Sequence, residues 1–310
     1  MGKRSNITEK LRDIGLGSKR TSTEKLIDDS GNFNVVKKGG GIDAFSFYHW
    51  LINISWAKFF LFITSAYILI NLLFGSLYFV IGADKLTEFQ GGNLQEKLLH
   101  CFFFSTQTLT TVGFGRISPL GIAANMTAAL EAMVGLMGFA FATGILYGRF
   151  SKARAKIIFS KNILVSPYKG IKGLKFRISN LRKNQLIDME ASVIYSFLEK
   201  TNGEIKRRYS PLNLEISFIN MFPLPWTIVH PIDEESPIYQ KGVLDFSKEN
   251  AEFIIILKGY DDTFNQYVHQ VYDYKHSEIV FDADFSPMFD PTGGGGTVVE
   301  LDKISDYRKV

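Results

Sequence analysis

The sequence predicts a chain in two parts: a helical membrane domain with two spans, then an all-β sandwich. Three observations predict it. Residues 56–82 and 123–150 are each long and apolar enough to cross a bilayer. Between them a short apolar segment runs straight into Thr110-Thr111-Val112-Gly113-Phe114-Gly115. Beyond about residue 157 no apolar stretch is span-length, and short alternating runs recur instead. A length of 310 residues suggests two domains rather than one.

The net charge of +4 gives no nucleic-acid footprint, so no nucleic-acid partner is expected. The single cysteine, Cys101, excludes an intrachain disulfide and fits a cytoplasmic setting for the soluble part. Many of the 27 phenylalanines lie between Phe45 and Phe150, as expected where lipid is the solvent. The first forty residues are polar and lack the apolar core of a secretory signal, so the N-terminus is expected to be kept.

Residues 1–43 read as an arm of Ser, Thr, Gly and charges of both signs, with disorder an equal reading for residues 1–30. Val35-Val36 suits a short strand against another domain, and Lys37-Lys38-Gly39-Gly40-Gly41 a flexible hinge. Residues 44–55 mix aromatic and polar side chains and predict a helix lying on the bilayer surface; the alternative is the first turns of the span. His49 is assigned no chemistry. Lys58 is the only charge in the first span, placed to snorkel to headgroups. A buried helix of a soluble protein is rarely apolar on all sides for so long. Polar residues 84–95, with Gly91-Gly92, predict an exposed turret, and residues 94–109 a helix too short to span.

Residues 110–115 are too short for a sheet strand and too glycine-rich for a helix. Gly113 and Gly115 allow unusual dihedrals, which let successive carbonyls point one way. Four copies about an axis would stack rings of carbonyl oxygens that replace the water around a potassium ion, with a threonine hydroxyl as a further ligand. T-V-G-[YF]-G is the potassium-channel filter signature, although six residues alone fit a glycine-rich turn equally well. The flanking helix decides the context. Non-helical backbone at membrane depth is tolerated only where protein buries it or water is beside it. A re-entrant pore helix supplies that setting, and its C-terminal partial negative charge favours a cation. One filter strand coordinates nothing alone, so a homotetramer is expected.

Residues 116–120 leave through Pro119. The second span carries Gly135, Gly138, Gly144 and Gly148, which permit close helix contact and bending. Glu131 is its one acidic residue, and an intramembrane carboxylate is a functional-site hypothesis by default. It is either satisfied behind the filter by polar groups of the pore helix or loop, or in direct contact with the ion. Arg149, Lys152, Arg154, Lys156 and Lys161, with Lys37, Lys38 and Lys58, place both termini on the cytoplasmic side. The cluster also sits where anionic headgroups would be. No arginine-rich sensor helix occurs, so gating by a dedicated voltage sensor is excluded.

The alternating runs fall at residues 173–178, 192–195, 214–218 and 252–257, punctuated by turn signals at Asn202-Gly203 and Lys258-Gly259. Such spacing predicts an immunoglobulin-like sandwich. Gly293 to Gly296 read as a flexible hairpin tip or loop, and residues 297–301 suit a terminal strand. His230, His269 and His276 lie near Asp233, Asp261 and Asp273, but their spacing fits no metal-ligand motif, so neither an enzyme nor a metal site beyond K+ is expected.

The order outer helix, pore helix, filter, inner helix and β-rich domain resembles the inward-rectifier potassium channels, most of all their prokaryotic KirBac branch. Four stretches carry the resemblance over roughly residues 34–305: FFFSTQTLTTVGFG, LEAMVGLMGFAFATGILYGRF, FRISNLRKNQLID, and WTIVHPIDEESPIY with AEFIIILKGYDDTFNQYVHQVYDY. It implies a homotetrameric channel of the cell (inner) membrane, passive and voltage-independent. K+ is then the permeant ion, with no organic cofactor. Thr111, Val112, Gly113, Phe114 and Gly115 would be the selectivity filter.

Further roles carry over by position. Phe139 falls where strong rectifiers hold an acidic residue for Mg2+ and polyamines, so these are expected only as weak blockers. Phe139 and Tyr147 become candidate gating rings, with helix packing as the alternative, and Glu131 joins them as a gate-or-cavity residue. Asp188 matches an acidic position of the cytoplasmic vestibule. Arg149, Lys152, Arg154, Lys156, Arg182 and Lys183 match basic positions that bind phosphoinositide headgroups, and Lys58 is grouped with them. Gln107 and Ile117 replace a Glu–Arg brace, Phe114 replaces the commoner tyrosine, and Ala153 and Ala155 replace a proline and a basic residue. The rival reading is a non-conducting, membrane-anchored sensor or binding module.

Overall fold

The computed structural model describes residue 27 and residues 46–89, 91–152, 155–201, 204–290 and 298–310. Val35-Val36, the hinge at residues 37–41, Arg154, Asn202-Gly203 and Gly293 to Gly296 lie outside the described residues. The chain divides into two compact units, Lys38–Lys152 and Met1–Lys37 with Ala153–Val310.

Among the described residues four α-helices build the first unit: α1 (Phe47–Asn53), α2 (Trp56–Ile81), α3 (Leu94–Leu109) and α4 (Gly121–Phe150). A serine caps the start of each of the first two helices. Ser46 accepts from the His49 amide at the start of α1, and Ser55 from the Lys58 amide at the start of α2. Each satisfies an amide that the helix itself leaves unpaired. A capping box between Asn93 and Glu96 starts α3. Part of the segment expected as an exposed turret is instead pinned. Leu86 is buried and bridges Pro119, and Thr87 exchanges hydrogen bonds with Ser118 at 2.9 and 2.7 Å. α2 and α4 have the length and hydropathy of membrane spans.

Fourteen strands among the described residues dominate the second unit. In chain order they begin with β1 (Ile157–Phe159), β2 (Ile163–Tyr168), β3 (Ile171–Asn180), β4 (Leu186–Thr201), β5 (Glu204–Leu212), β6 (Phe218–Met221) and β7 (Trp226–Ile232). After the short helix α5 (Val243–Lys248) come β8 (Glu252–Asp261), β9 (Gln266–Lys275), β10 (Ile279–Phe281), β11 (Ala283–Phe285), β12 (Phe289–Asp290), β13 (Val298–Val299) and β14 (Tyr307–Lys309). One sheet joins β1, β2 and β7 to β3, with β10 parallel to β2; the other runs β5-β4-β8-β9, with β6 on β4. Alternate residues of both sheets form one core, among them Leu174, Phe176 and Ile178 from the first and Val193, Tyr195, Phe253, Ile255 and Leu257 from the second. This is the inward face that a period of two dictates.

Three strand-level expectations need correction. Residues 214–217 are not a strand. The Glu215 amide bonds the Val229 carbonyl in one sheet, while the Ser217 carbonyl accepts from Ala191 in the other, so the segment crosses between sheets. Lys258-Gly259 is not a turn but lies within β8, where Gly259 admits the Met189 sulfur that a Cβ would strike. The reversal follows at residues 262–265, where Asp261 accepts from the Thr263 and Phe264 amides. Within the range expected as the terminal strand, residues 298–299 do form β13 against β12, but the last strand is β14, paired with β11. The arm contributes too: Ile27 is buried against Ile194 and Ile254 on the outer face of the second sheet.

Candidate functional site

The site begins at the C-terminus of α3. Thr111, Gly113 and Gly115 have φ of +57°, +51° and +77°, while Val112 and Phe114 stay outside the left-handed region. Left-handed residues at every second position turn successive carbonyls to one side, as the glycine alternation foretells. Gln107 sets the start of this run, its carbonyl accepting from the Val112 and Gly113 amides at 3.0 and 3.3 Å. No hydrogen bond among the described residues ends on a carbonyl of residues 111–115. That leaves these carbonyl oxygens without a hydrogen-bond donor among the described residues. A Cβ on Gly113 would meet no atom within 4 Å, so the constraint there is the positive φ rather than space.

Behind α3 lies a buried polar cluster. Tyr78 Oη donates to Glu131 Oε2 at 2.7 Å, and the Ser105 hydroxyl touches both Glu131 Oε1 and Asn71 Oδ1, the latter at 3.1 Å. Glu131 is fully buried, with its two carboxyl oxygens held by Tyr78 and Ser105. Four residues on, α4 backs directly onto the end of α3, where a Cβ on Gly135 would run into the Leu109 carbonyl. Ile117, at one of the two brace positions, packs beside the apolar cluster of Tyr78, Leu86, Cys101 and Phe104.

Further along α4, Phe139 and Tyr147 are each 74% exposed in the single chain. With exposed Thr143 they recur every four residues, so one stripe of the helix carries all three. Thr143 went unnoticed in the sequence because a helical Thr usually back-bonds, as this one does to the Phe139 carbonyl at 2.9 Å. Arg149 is not directed outward as a headgroup ligand. Its guanidinium bonds the Leu51 carbonyl and, at 2.7 Å, the Ile54 carbonyl, and lies 4.5 Å from the Trp56 ring centre and 4.7 Å from that of Phe59. A cation on the last carbonyls of α1 is favoured by the helix dipole and by the aromatic faces. Lys152 reaches Asn53 at 2.6 Å. Lys58 and Lys152 are exposed at this end of the unit.

In the second unit Lys156, Arg182, Lys183 and Asp188 are exposed. Asp188 has φ +49° at an irregularity in the β4–β8 register, a conformation that re-aims its side chain. His230 is buried and bonds the Asn213 carbonyl at 2.6 Å and Ser236 Oγ at 2.8 Å. Burial pulls its pKa down, against the opposing pull of the Asn213 carbonyl and Asp233.

Ser105, Tyr78 and Asn71 escaped notice in the sequence. Only Asn71, an amide inside an apolar span, carried a signal of its own.

Two family models match the chain: the inward rectifier potassium channel C-terminal domain over residues 157–310 and the ion channel model over residues 50–152. The chain is 31% identical over 290 residues to the inward rectifier potassium channel Kirbac3.1 of Paramagnetospirillum magnetotacticum, covering 92% of this chain and 96% of that one. Inward rectifier potassium channel 4 of Homo sapiens is 27% identical over 203 residues, 61% of this chain and 45% of its own. The G protein-activated inward rectifier potassium channel 3 of Mus musculus is 26% identical over 269 residues, 78% of this chain and 67% of its own.

Proposed function

The chain belongs to the inward-rectifier potassium channel family, and from that premise we propose how it works as a membrane-embedded K+ channel rather than an enzyme. Four copies assemble around one axis, and the carbonyls of Thr111, Val112, Gly113, Phe114 and Gly115 replace the hydration shell of K+. The alternation of positive φ at Thr111, Gly113 and Gly115 carries this reading, because it supplies one-sided carbonyls where no internal bond consumes them. Both termini are cytoplasmic, since two spans return the chain to its starting side and the cations gather at the α1 end.

The stripe of Phe139, Thr143 and Tyr147 faces the axis and narrows it. A ring of phenylalanines excludes water from a constriction and closes it by dewetting. Lys58, Lys152, Lys156, Arg182 and Lys183, with Arg154, meet anionic headgroups such as phosphoinositides and bias that gate together with the cytoplasmic sandwich. Arg149 holds α1 instead. Asp188 attracts intracellular cations, while the apolar Phe139 keeps block by Mg2+ or polyamines weak. No organic cofactor or nucleic acid takes part.

Potassium flux into liposomes of varied phosphoinositide content tests the proposal. Ba2+-sensitive flux is expected, and a tetramer that never conducts at any lipid content would favour the sensor reading. Gly113→Ala forces a Cβ residue into a left-handed φ at a cost of about 1–2 kcal/mol in each subunit. Selective flux should vanish while the tetramer persists on size exclusion.

A further inference from the structure

The polar cluster behind α3 has more hydrogen-bond acceptors than protons if Glu131 is ionised. Asn71 Nδ2 donates to the Tyr67 carbonyl at 2.8 Å. That carbonyl can only accept, so it fixes the amide orientation and turns Asn71 Oδ1 toward Ser105. Tyr78 spends its one proton on Glu131 Oε2. Ser105 therefore has a single proton to share between Asn71 Oδ1 and Glu131 Oε1, both in contact with its oxygen. With a carboxylate at Glu131, one of these contacts places two lone pairs against each other in a site closed to water: Asn71, Ser105 and Glu131 are each 0% exposed and Tyr78 1%. A proton on Glu131 Oε1 closes the count. The acid then donates to Ser105 Oγ, Ser105 donates to Asn71 Oδ1, and Tyr78 donates to Oε2, one hydrogen for every contact.

We propose that Glu131 stands as a protonated carboxylic acid that donates to Ser105 and so acts as a positioning residue for the filter. The chain of bonds runs from α2 through α3 to α4 and fixes the last turns of α3. Ser105 lies six residues before Thr111, and the close seat of Gly135 under Leu109 sets the same turns from below. An uncharged acid also adds no fixed negative charge beside the conduction path, leaving cation attraction to the filter carbonyls and the end of α3.

The inference rests on residues 110–115 being the filter, so its test has an arm that does not depend on conduction. Infrared spectroscopy of the full-length tetramer at neutral pH should show a protonated-carboxyl stretch that is missing from Glu131→Gln and shifted in Tyr78→Phe, where the acid loses one partner. Absence of that band in the natural protein would overturn the proposal, whatever the flux. In the liposome assay, Glu131→Leu should assemble yet lose at least tenfold in its K+ over Na+ flux ratio, and Glu131→Gln, which keeps a donor and an acceptor, should recover most of it. Tetramers of Glu131→Leu with the natural ratio would refute the positioning role. If Glu131→Leu does not assemble, the ratio in Ser105→Ala decides the same question.

Discussion

The two units of the chain present different surfaces to their surroundings. In the sandwich, Phe176, Val193, Phe253 and Ile255 turn inward, and lysines and glutamates cover the outside. In the pore unit, Val80 is 81% exposed and Leu61 67%, while Asn71, Ser105 and Glu131 are fully buried. The inversion follows from the solvent. Water drives apolar side chains inward in the sandwich, whereas lipid gives helices no such drive and leaves packing and polar contacts to hold them. Both units also bury polar groups, but differently. The sandwich encloses an ion pair, Arg207 Nη1 to Glu252 Oε2 at 3.1 Å, with Ser196 beside it. The pore unit links its helices through hydroxyls, an amide and Glu131. A charge in the sandwich therefore bears on stability, while on the proposed reading a contact in the pore unit bears on filter geometry.

Removing half of the ion pair should give the largest effect on folding. Glu252→Ala strips the carboxylate from a buried guanidinium and should cost about 3–5 kcal/mol. Loss of the β-sheet signal in thermal or urea unfolding of the whole channel measures it, with K+ selectivity unchanged below the transition. Selectivity falling in step with stability would break the division between the units. Gly135→Ala is the mirror experiment. A Cβ against the Leu109 carbonyl must push α3 away, at about 1–3 kcal/mol of overpacking. The K+ over Na+ flux ratio should collapse while sandwich unfolding stays where it was.

What the sequence disclosed follows the same line. Runs such as 173–178 were legible because Leu174, Phe176 and Ile178 alternate with Lys175 and Arg177, and the apolar spans because lipid demands them. The glycines at 113 and 115 announced positive φ directly. Contacts that join distant helices were not legible. Ser105 and Glu131 are 26 residues apart, and nothing in a Ser on an apolar helix names its partner. Arg149 displayed its charge but not the carbonyls it would find 98 and 95 residues away, so a headgroup looked the natural ligand. Residues 214–217 misled for a third reason: their alternation is strand-like, but their bonds go to two different sheets.

Arg149 sharpens the contrast at intermediate size, since it is a charge serving the pore unit. Arg149→Lys keeps the charge but cannot span two carbonyls with a planar fork, and should cost about 1.5–3 kcal/mol of the α1 attachment. Quenching of the Trp50 and Trp56 fluorescence by brominated lipids should change as α1 loosens. Lys152→Gln should shift the phosphoinositide dose-response of flux and leave that quenching closer to the natural value. The opposite pattern would return Arg149 to the lipid set.

The smallest effect tests whether the sandwich alone carries a pH term. Burial holds the His230 pKa below its ordinary value. Above about pH 6.5 the imidazole is neutral in both folded and unfolded chains and contributes nothing to the pH slope. As pH falls through that value, the unfolded chain takes up a proton that the buried ring refuses. Stability must then drop, and it levels off once pH passes below the depressed folded value. The full-length channel should show this decline in its sheet unfolding from about pH 7 to pH 5, and His230→Gln should flatten it at some cost in overall stability. Flux selectivity should not follow the same curve, because the filter unit contains none of the atoms around His230. A selectivity profile that tracks the unfolding profile would show that protonation in the sandwich reaches the filter.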